Sequence, residues 1–262
     1  MKILFCQPIF LGNKCLKEKN INSLKSLPYL IESLPTNYDI KFRLEGWSYK
    51  QEYWEEFCKI LENFSFDIEC QRLEHNYGKA YVINKIVKEC QWDFDYIFTC
   101  DSDIIFLENQ NYFTRLIASE KILPKNKIGL LAPNQLKLCA HNYSDLKEEI
   151  KYEGDFGNEI LRSGPGVAGG CFLISKKLWL DVGGYTPMGV FCGEDGNLVG
   201  KIMTRGMKNY VMVNLNVVHP YDLPKEKYRV WKSKQKLLSS VKTNKELEQL
   251  SKEAIKELWI NE

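Results

Sequence analysis

The chain has 262 residues, of which 44% are hydrophobic and 27% are charged, a composition typical of a globular protein. This length suffices for one large domain with a full hydrophobic core. The formal net charge of only +2 argues against a strongly cationic chain of the kind that binds nucleic acid non-specifically.

Strand and helix patterns alternate through the first half of the chain. Short apolar or alternating runs predict strands at residues 2–7, 40–44, 66–73 and 95–100. Apolar residues at helical spacing predict helices at residues 22–33, 49–64 and 79–90. Pro8 is expected to end the first strand, and Glu45 and Gly46 to close the second. This order predicts a mostly parallel, Rossmann-like α/β sheet flanked by helices.

The second half of the chain is less regular. Its patterns predict strands at residues 129–132, 171–175 and 210–218, and helices at residues 177–182 and 193–205. Residues 141–162 are polar and poorly periodic, which predicts a loop-rich insertion. From residue 233 onwards, an apolar stripe among alternating charges predicts a helical pair packed on the domain. A dimerisation helix is the alternative interpretation of that stripe.

The cysteines and the apolar runs bear on the compartment. Nine cysteines are scattered along the chain without a C-x-x-C pair, which does not match zinc or thioredoxin-like motifs. Several lie in apolar runs, so we expect buried, unpaired thiols in a reducing cytosol. No apolar run reaches the roughly 18 residues of a membrane-spanning helix, and the N-terminal run is short for a signal peptide. A cytoplasmic protein without a membrane span is therefore expected.

The segment YIFTCDSDIIF carries the strongest chemical signal. It places Asp101, Ser102 and Asp103 directly after an apolar strand, at the edge where open α/β sheets bind ligands. If the backbone stays extended, the two carboxylates project to the same side. Carboxylates at a buried edge need a compensating cation, and Mg²⁺ or Mn²⁺ takes oxygen ligands. The alternative is a turn in which the aspartates cap backbone N–H groups.

Three segments further along the chain add candidate residues. GPGVAGG is rich in glycine but lacks the strand and helix that frame a dinucleotide site, so it predicts a loop that closely approaches a bound ligand or simply a flexible loop. GEDGNL places Glu194 and Asp195 at a helix start, where the helix dipole also favours negative charge. VVHP ends a predicted strand at His219, which taken alone is more typical of a structural histidine than of a ligand.

In this order and spacing, the segments resemble the family-2-like glycosyltransferases of the GT-A fold. HNYGKAYVIN is similar to that family's helix entry, and the segment ending in VGGY to its glycine turn. The resemblance spans roughly residues 1–222. The matching residues are Pro8, Asn76, Gly78, Lys79, Asn84, Asp101, Asp103, Gly169, Gly170, Gly183, Gly184, Glu194, Asp195 and His219.

The resemblance implies a domain organisation and an activity. Residues 1–232 would form a single GT-A domain, with a nucleotide-sugar-binding half at 1–107 and an acceptor-side half at 108–232. Residues 233–262 would form a C-terminal helical extension. The implied activity is metal-dependent transfer of a sugar from a nucleotide-diphosphate sugar, UDP-linked by family frequency, to an acceptor hydroxyl. The acceptor stays open: a glycan, a lipid-linked glycan, a polymer or a modified nucleic acid.

The resemblance also implies residue roles. Asp101, Asp103 and His219 would hold Mn²⁺ or Mg²⁺ against the diphosphate. Asp195 would be the general base of an inverting displacement, with Glu194 binding the acceptor or supporting the loop. The implied donor-binding residues are Pro8, Glu45, Lys79, Asp101, Ser102, Asp103, Gly170, Lys225 and Arg229.

The sequence departs from the family pattern in three places. The second strand reads LEGWS where an Asp-rich turn is usual, so Glu45 stands in. Lys201 replaces the arginine that follows the Glu-Asp pair, and the absence of Q-x-x-R-W argues against a processive synthase.

Residues 201–242 hold ten basic and two acidic residues, a local charge of 10 − 2 = +8. This stretch is either a lid over the diphosphate or a solvated face, and its charge could also admit an anionic acceptor.

Two other functions are compatible with these segments. One is a nucleotidyltransferase acting on a sugar phosphate, although the segment QPIFLGNKC is a poor match to its Gly-rich, basic phosphate loop. The other is a non-catalytic nucleotide-sugar-binding module that releases no free nucleotide.

Overall fold

The computed structural model describes residues 1–32, 34–124, 127–136, 146, 148–164, 169–188, 190, 193–220, 245–246, 249–250 and 252–253. In its first half, β1 (Lys2–Leu11) pairs in parallel with β2 (Asp39–Ser48) on one side and β4 (Tyr96–Cys100) on the other. β3 (Ile68–Arg72) extends the sheet in parallel beyond β2. β1 is apolar at consecutive positions because helices cover both faces of a parallel sheet.

The first two strands are longer than predicted. β1 continues through Pro8, which aligns with Glu45 of β2, so the prediction that Pro8 ends the strand is wrong. Pairing of β1 with β4 ends at Cys6, and a proline is tolerated where a strand has an unpaired side. β2 likewise runs past Glu45 and Gly46, because a glycine lets the strands approach closely. A Cβ at Gly46 would lie 1.9 Å from the Ile9 carbonyl oxygen.

The described residues of the first half contain four helices: α1 (Lys14–Lys25), α2 (Leu27–Ile31), α3 (Gln51–Leu61) and α4 (Lys79–Glu89). The predictions for α3 and α4 are confirmed. The helix predicted at residues 22–33 is wrong in its bounds, because the side chain of Asn13 caps the Leu16 N–H at 2.9 Å and starts a helix eight residues earlier than expected. A separate short helix begins next to Pro28, which lacks the N–H that a helix interior needs.

The second half inserts an antiparallel strand into the sheet. β9 (Cys171–Ser175) lies between β4 and β6 (Ile128–Leu136) and is antiparallel to both. β10 (Lys208–Val218) is parallel to β6, and β5 (Ile105–Phe106) pairs with the end of β10. Since β1, β2, β3, β4, β6 and β10 share one direction, the predicted mostly parallel sheet is confirmed.

Three helices complete the described residues of this half: α5 (Tyr112–Glu120), α6 (Lys176–Val182) and α7 (Glu194–Met203). The last two confirm the predicted helices. α5 was not predicted.

A β-hairpin replaces part of the predicted loop-rich insertion. β7 (Glu148–Gly154) and β8 (Gly157–Ser163) pair antiparallel, and β8 also pairs with β10, so the loop prediction is wrong for residues 148–162. The pattern was obscured because a buried residue of β8 is charged: Glu159 is 2% exposed and forms a bidentate ion pair with Arg115 at 2.7 Å.

Two apolar layers cover the sheet. Ile3 and Phe5 of β1 face one layer and Leu4 and Cys6 face the other, as expected for alternating side chains. Among the described cysteines, the free thiols of Cys6, Cys100 and Cys171 are buried and those of Cys15, Cys58, Cys70 and Cys90 are partly buried.

The described residues contain no helix long and apolar enough to span a membrane. Of the predicted C-terminal extension, residues 245–246, 249–250 and 252–253 are helical and the rest lies outside the described residues. The division of the domain at residue 107 stays a prediction.

Candidate active site

The carboxyl end of β4 turns sharply at the two aspartates. The Ile104 N–H donates to the Asp101 carbonyl at 3.2 Å, and the Asp101 N–H donates to the Gly170 carbonyl at 2.6 Å. The backbone is therefore a turn rather than the extended segment assumed from the sequence. The turn still leaves the carboxylates of Asp101 and Asp103 side by side, each 26% exposed.

His219 completes a cluster with these carboxylates. Its Nε2 lies 3.2 Å from Oδ1 of Asp103 and 3.9 Å from Oδ2 of Asp101. One ligand atom from each of the three residues lies within 4.8 Å of the others. Across the described residues this is the one cluster of three or more such groups that could hold a metal ion.

A bulge in β10 brings His219 to this position. Met212 aligns with Pro133 of β6, but the next aligned pair is Asn216 with Asn134, so β10 gains three residues. Pro133 has no N–H to give to the ladder, which favours an irregularity at this point. The bulge is secured from α5, where the Tyr112 hydroxyl donates to the Asn216 carbonyl at 2.7 Å.

The pKa values of the two carboxylates in the cluster shift in opposite directions. Burial raises the pKa of Asp101 above its ordinary value, and the Lys79 ammonium only partly offsets this. Burial acts in the same direction on Asp103, but the attraction of His219 and its hydrogen bond outweigh it and lower the pKa. Burial would lower the pKa of His219, yet Asp103 and Asp101 raise it above its ordinary value.

These residues fit a hard divalent cation. Two carboxylates and one imidazole nitrogen form a donor set that Mn²⁺ accepts, and Mg²⁺ also takes such oxygen ligands. The imidazole supports the same conclusion, because Nε2 faces Asp103 while Nδ1 lies 3.1 Å from Oε1 of Gln135. With acceptors on both sides, the ring must either carry two protons or share Nε2 with a cation.

A second group of side chains lies on the other side of Asp101. The Lys79 ammonium lies 2.6 Å from Oδ1 of Asp101 and 2.8 Å from Oδ1 of Asp195. The Tyr185 hydroxyl donates to the same oxygen of Asp195 at 3.0 Å. Although burial would lower the pKa of Lys79, Asp101 and Asp195 raise it well above its ordinary value. The ammonium therefore stays charged and joins the metal cluster to Asp195.

Two glycines let these groups approach. A Cβ on Gly169 would lie 2.3 Å from Cβ and from Cγ of Asp195. A Cβ on Gly170 would lie 2.7 Å from Oε1 of Gln135 and 3.1 Å from Oδ2 of Asp101. The glycine-rich segment, predicted to approach a bound ligand closely, thus lies against both the metal cluster and Asp195 at its described end.

Several solved structures have a similar fold. GalNAc-T7 with UDP, GalNAc and Mn²⁺ matches with a TM-score of 0.59 and 14% identity, over 84% of this chain and 44% of its own. The mannosyltransferase PcManGT from Pyrobaculum calidifontis, in complex with GDP-Man and Mn²⁺, matches with a TM-score of 0.59 and 14% identity, over 97% of this chain and 69% of its own. S. aureus TarS 1–349 matches with a TM-score of 0.55 and 14% identity, over 83% and 60%.

The chain has the GT-A glycosyltransferase fold. The predicted fold and the predicted resemblance are confirmed at this level, and 14% identity establishes no more than the fold. The chain spans less than two thirds of the GalNAc-T7 and TarS chains. No protein-family model and no curated protein matches the sequence.

Within the GT-A fold, two predicted donor-binding residues, Pro8 and Glu45, lie inside strands of the sheet. Glu45 is 1% exposed, and its carboxylate pairs with Lys85 at 2.6 Å and with Arg43 at 3.3 Å. The carboxyl end of β2 is Ser48, three residues beyond Glu45. The role of Glu45 in donor binding stays a prediction, as does that of Pro8 in the interior of β1.

Three other predicted residues lie in the described part of the chain, and their roles stay predictions. Ser102 is in the turn between the aspartates, and Glu194, 9% exposed, begins α7 next to Asp195. Lys201, in the position of the expected arginine, donates to the Gly184 carbonyl at 2.9 Å. Lys225 and Arg229, with the predicted lid, lie outside the described residues.

Gln135 and Tyr185 were missed as site residues. Gln135 belongs to no motif, but it follows Asn134 as the second of two polar residues in β6, near the carboxyl end where ligands bind. Tyr185 lies in the VGGY segment, and its role depends on Asn84. The Asn84 side chain donates to the Tyr185 carbonyl at 2.8 Å and accepts from its N–H at 3.1 Å.

Proposed function

We propose that this protein is a metal-dependent glycosyltransferase that transfers a sugar from a nucleotide-diphosphate sugar to an acceptor hydroxyl. The convergence of Asp101, Asp103 and His219 at the carboxyl edge of a GT-A sheet carries the proposal. Structures of the same fold support it, since GalNAc-T7 was solved with UDP and Mn²⁺ and PcManGT with GDP-Man and Mn²⁺.

The metal cluster would bind the leaving group. Asp101, Asp103 and His219 would hold Mn²⁺ or Mg²⁺, whose charge offsets the charge that develops on the departing diphosphate. The cluster is partly buried, so this electrostatic effect is less screened than in water.

Asp195 would act on the acceptor. The acceptor oxygen attacks the anomeric carbon, the bond from that carbon to the diphosphate breaks, and the hydroxyl proton passes to the Asp195 carboxylate. Lys79 and Tyr185 hold Oδ1 of Asp195 in place, and Glu194 beside it would support the acceptor. A single displacement of this kind inverts the configuration at the anomeric carbon.

The donor and the compartment complete the proposal. UDP is the proposed carrier, with GDP as the first alternative to test because PcManGT was solved with GDP-Man. The buried free thiols of Cys6, Cys100 and Cys171 suit a reducing compartment, so we place the protein in the cytoplasm.

Thermal unfolding with a panel of nucleotide sugars, with and without Mn²⁺, tests the donor site. A ligand that binds the folded state raises the melting temperature, and we expect this for one nucleotide class, only with Mn²⁺ and only when Asp103 is intact. Asp103→Ala is the variant, and release of free nucleotide from the stabilising donor is the second readout. If a donor raises the melting temperature but no free nucleotide is released with any acceptor tested, the protein is a binding module. If no donor gives an Mn²⁺-dependent rise in the melting temperature, the proposal is contradicted.

A further inference from the structure

The buried amide of Gln135 is the partner of the His219 ring within the proposed metal site. Its Oε1 lies 3.1 Å from Nδ1 of His219, and the residue is 3% exposed. We propose that Gln135 is a positioning residue that fixes the tautomer and orientation in which His219 binds the cation. This inference rests on the proposed metal-dependent function and adds a determinant of metal affinity outside the three ligands.

The backbone places both residues before any ligand arrives. Gln135 lies near the end of β6, aligned with Val217 of β10. The His219 N–H donates to the Leu136 carbonyl at 3.0 Å, so the histidine is attached to β6 by its main chain as well as by its ring. Because both contacts depend on the shifted register beyond the β10 bulge, the bulge and Gln135 together determine where the imidazole lies.

The chemistry of the amide oxygen decides the tautomer. In the orientation that Gln135 has here, its amide oxygen faces the ring and can only accept, so this contact places the proton of a neutral imidazole on Nδ1. The lone pair of Nε2 then points toward Asp103, 3.2 Å away, where a cation would lie. Without this acceptor, the proton would favour Nε2, from which it can donate to Asp103 and block the ligand position. Partners of this kind on metal-binding histidines commonly contribute about 10- to 100-fold in metal affinity.

Gly170 leaves room for the contact between Gln135 and His219. A Cβ there would lie 2.7 Å from Oε1 of Gln135 and 3.2 Å from Cε1 of His219, so no side chain separates the amide from the ring. The Gly170 carbonyl also accepts the Asp101 N–H at 2.6 Å. The Gly170 backbone therefore holds the main chain of one proposed ligand, Asp101, and leaves room for Gln135 beside another, His219.

Mn²⁺ binding to the free protein tests the proposal without any need for activity. Binding is measured as the loss of the electron paramagnetic resonance signal of the free ion. Gln135→Met removes the acceptor at similar volume and is expected to weaken Mn²⁺ binding about 10- to 100-fold. Gln135→Glu keeps an acceptor oxygen and is expected to bind at least as tightly as the wild type. In a His219→Ala background, Gln135→Met should cause no further loss, since the two residues act through one interaction.

Two results would overturn the proposal. The first is an Mn²⁺ affinity of Gln135→Met equal to that of the wild type. The second is a loss of Mn²⁺ affinity from Gln135→Met that is as large in the His219→Ala background as in the wild-type background. The tautomer is a separate readout on the unaltered protein: ¹⁵N NMR of the three histidines at alkaline pH should show His219 protonated on Nδ1, and a proton on Nε2 contradicts the inference. If the wild type binds no Mn²⁺, the proposed metal-dependent function is contradicted. The NMR readout needs no metal, so it still tests whether Gln135 sets the tautomer of His219.

Discussion

The Lys79 ammonium lies 2.8 Å from Oδ1 of Asp195, a residue 116 positions later in the chain. The same ammonium lies 2.6 Å from Oδ1 of Asp101, so one cation joins a proposed metal ligand to the proposed base. Oδ2 of Asp101 is the oxygen nearer His219, at 3.9 Å. Asp101 therefore divides its two oxygens between Lys79 and the metal cluster.

Replacing Lys79 by methionine should lower both stability and activity. The ammonium offsets the repulsion between two carboxylates, and leaving a buried polar group unpaired costs about 1–3 kcal/mol. Asp101 and Asp195 are 26% and 32% exposed, so we expect the lower part of that range. Urea unfolding and initial transfer rates measure the two effects. Lys79→Arg keeps the charge and should recover most of the stability, and equal stability of the methionine variant and the wild type contradicts the charge argument.

Replacing Asp195 by asparagine should remove proton transfer while leaving donor binding intact. General base catalysis typically contributes about 10²- to 10⁴-fold, so a rate loss of that size is expected. The donor-dependent thermal shift should be unchanged, because the proposed metal ligands that would hold the diphosphate are Asp101, Asp103 and His219, and Asp195 is not among them. Asp93→Asn is the matched control, since Asp93 pairs with Lys176 at the surface with 86% of its side chain exposed. A near-normal rate in Asp195→Asn rules out Asp195 as the base.

The sequence predicted those parts of the fold whose residues are apolar where they are buried. β4 and β9 were found because each is a short run of buried apolar residues. The antiparallel direction of β9 was not predictable, because periodicity carries no information on strand direction. The hairpin of β7 and β8 was missed because Glu159 and Ser163 are buried although they are polar, and polar residues at such positions predict a loop.

The site was predictable only as far as its motifs extend. Asp101, Asp103 and Asp195 were identified from short motifs and the order in which they occur. Gln135 lies next to His219 only because of a three-residue register shift in β10, which no local pattern reveals. Contacts between distant segments of the chain set the rest of the site.

Mn²⁺ affinity should fall as the pH is lowered, starting above the pH at which a free histidine titrates. Asp103 and Asp101 raise the pKa of His219 above its ordinary value of about 6.5, and the proton must leave before the ring can bind metal. The metal-free protein responds in the opposite sense. The charged pair of His219 with Asp103 contributes stability that is fully present just below about pH 6.5 and is lost as the pH rises through the raised pKa.

Mn²⁺ titrations and urea unfolding of the metal-free protein between about pH 6 and pH 9 check both parts of this pH prediction. His219→Ala should remove the pH dependence of the two quantities over this range. An Mn²⁺ affinity independent of pH in the wild type contradicts the assignment of His219 as a ligand.

Alanine at the two adjacent glycines should separate metal binding from catalysis. At Gly170 the new methyl group would displace Gln135 or Asp101 and weaken Mn²⁺ binding, whereas at Gly169 it would displace Asp195 and lower the transfer rate. Gly200→Ala is the control, because Gly200 lies in α7 with open space around it, and we expect it to gain about 0.4–1 kcal/mol. Loss of Mn²⁺ binding in Gly169→Ala, or its retention in Gly170→Ala, contradicts this division.

Arg115 links the hairpin to the bulge that precedes His219, so its removal should affect both stability and metal binding. The bidentate pair with Glu159 has distances of 2.7 Å, and the guanidinium also donates to the Asn214 carbonyl in the bulge at 3.2 Å. Breaking a buried ion pair by removing one partner costs about 3–5 kcal/mol, which we expect for Arg115→Met in urea unfolding. Lys151→Ala breaks an exposed pair with Glu149 and should cost at most about 1 kcal/mol.

Because the bulge determines where His219 lies, Arg115→Met should also weaken Mn²⁺ binding under conditions where the variant is folded. A large loss of stability with unchanged Mn²⁺ affinity would show that the bulge keeps its register without Arg115.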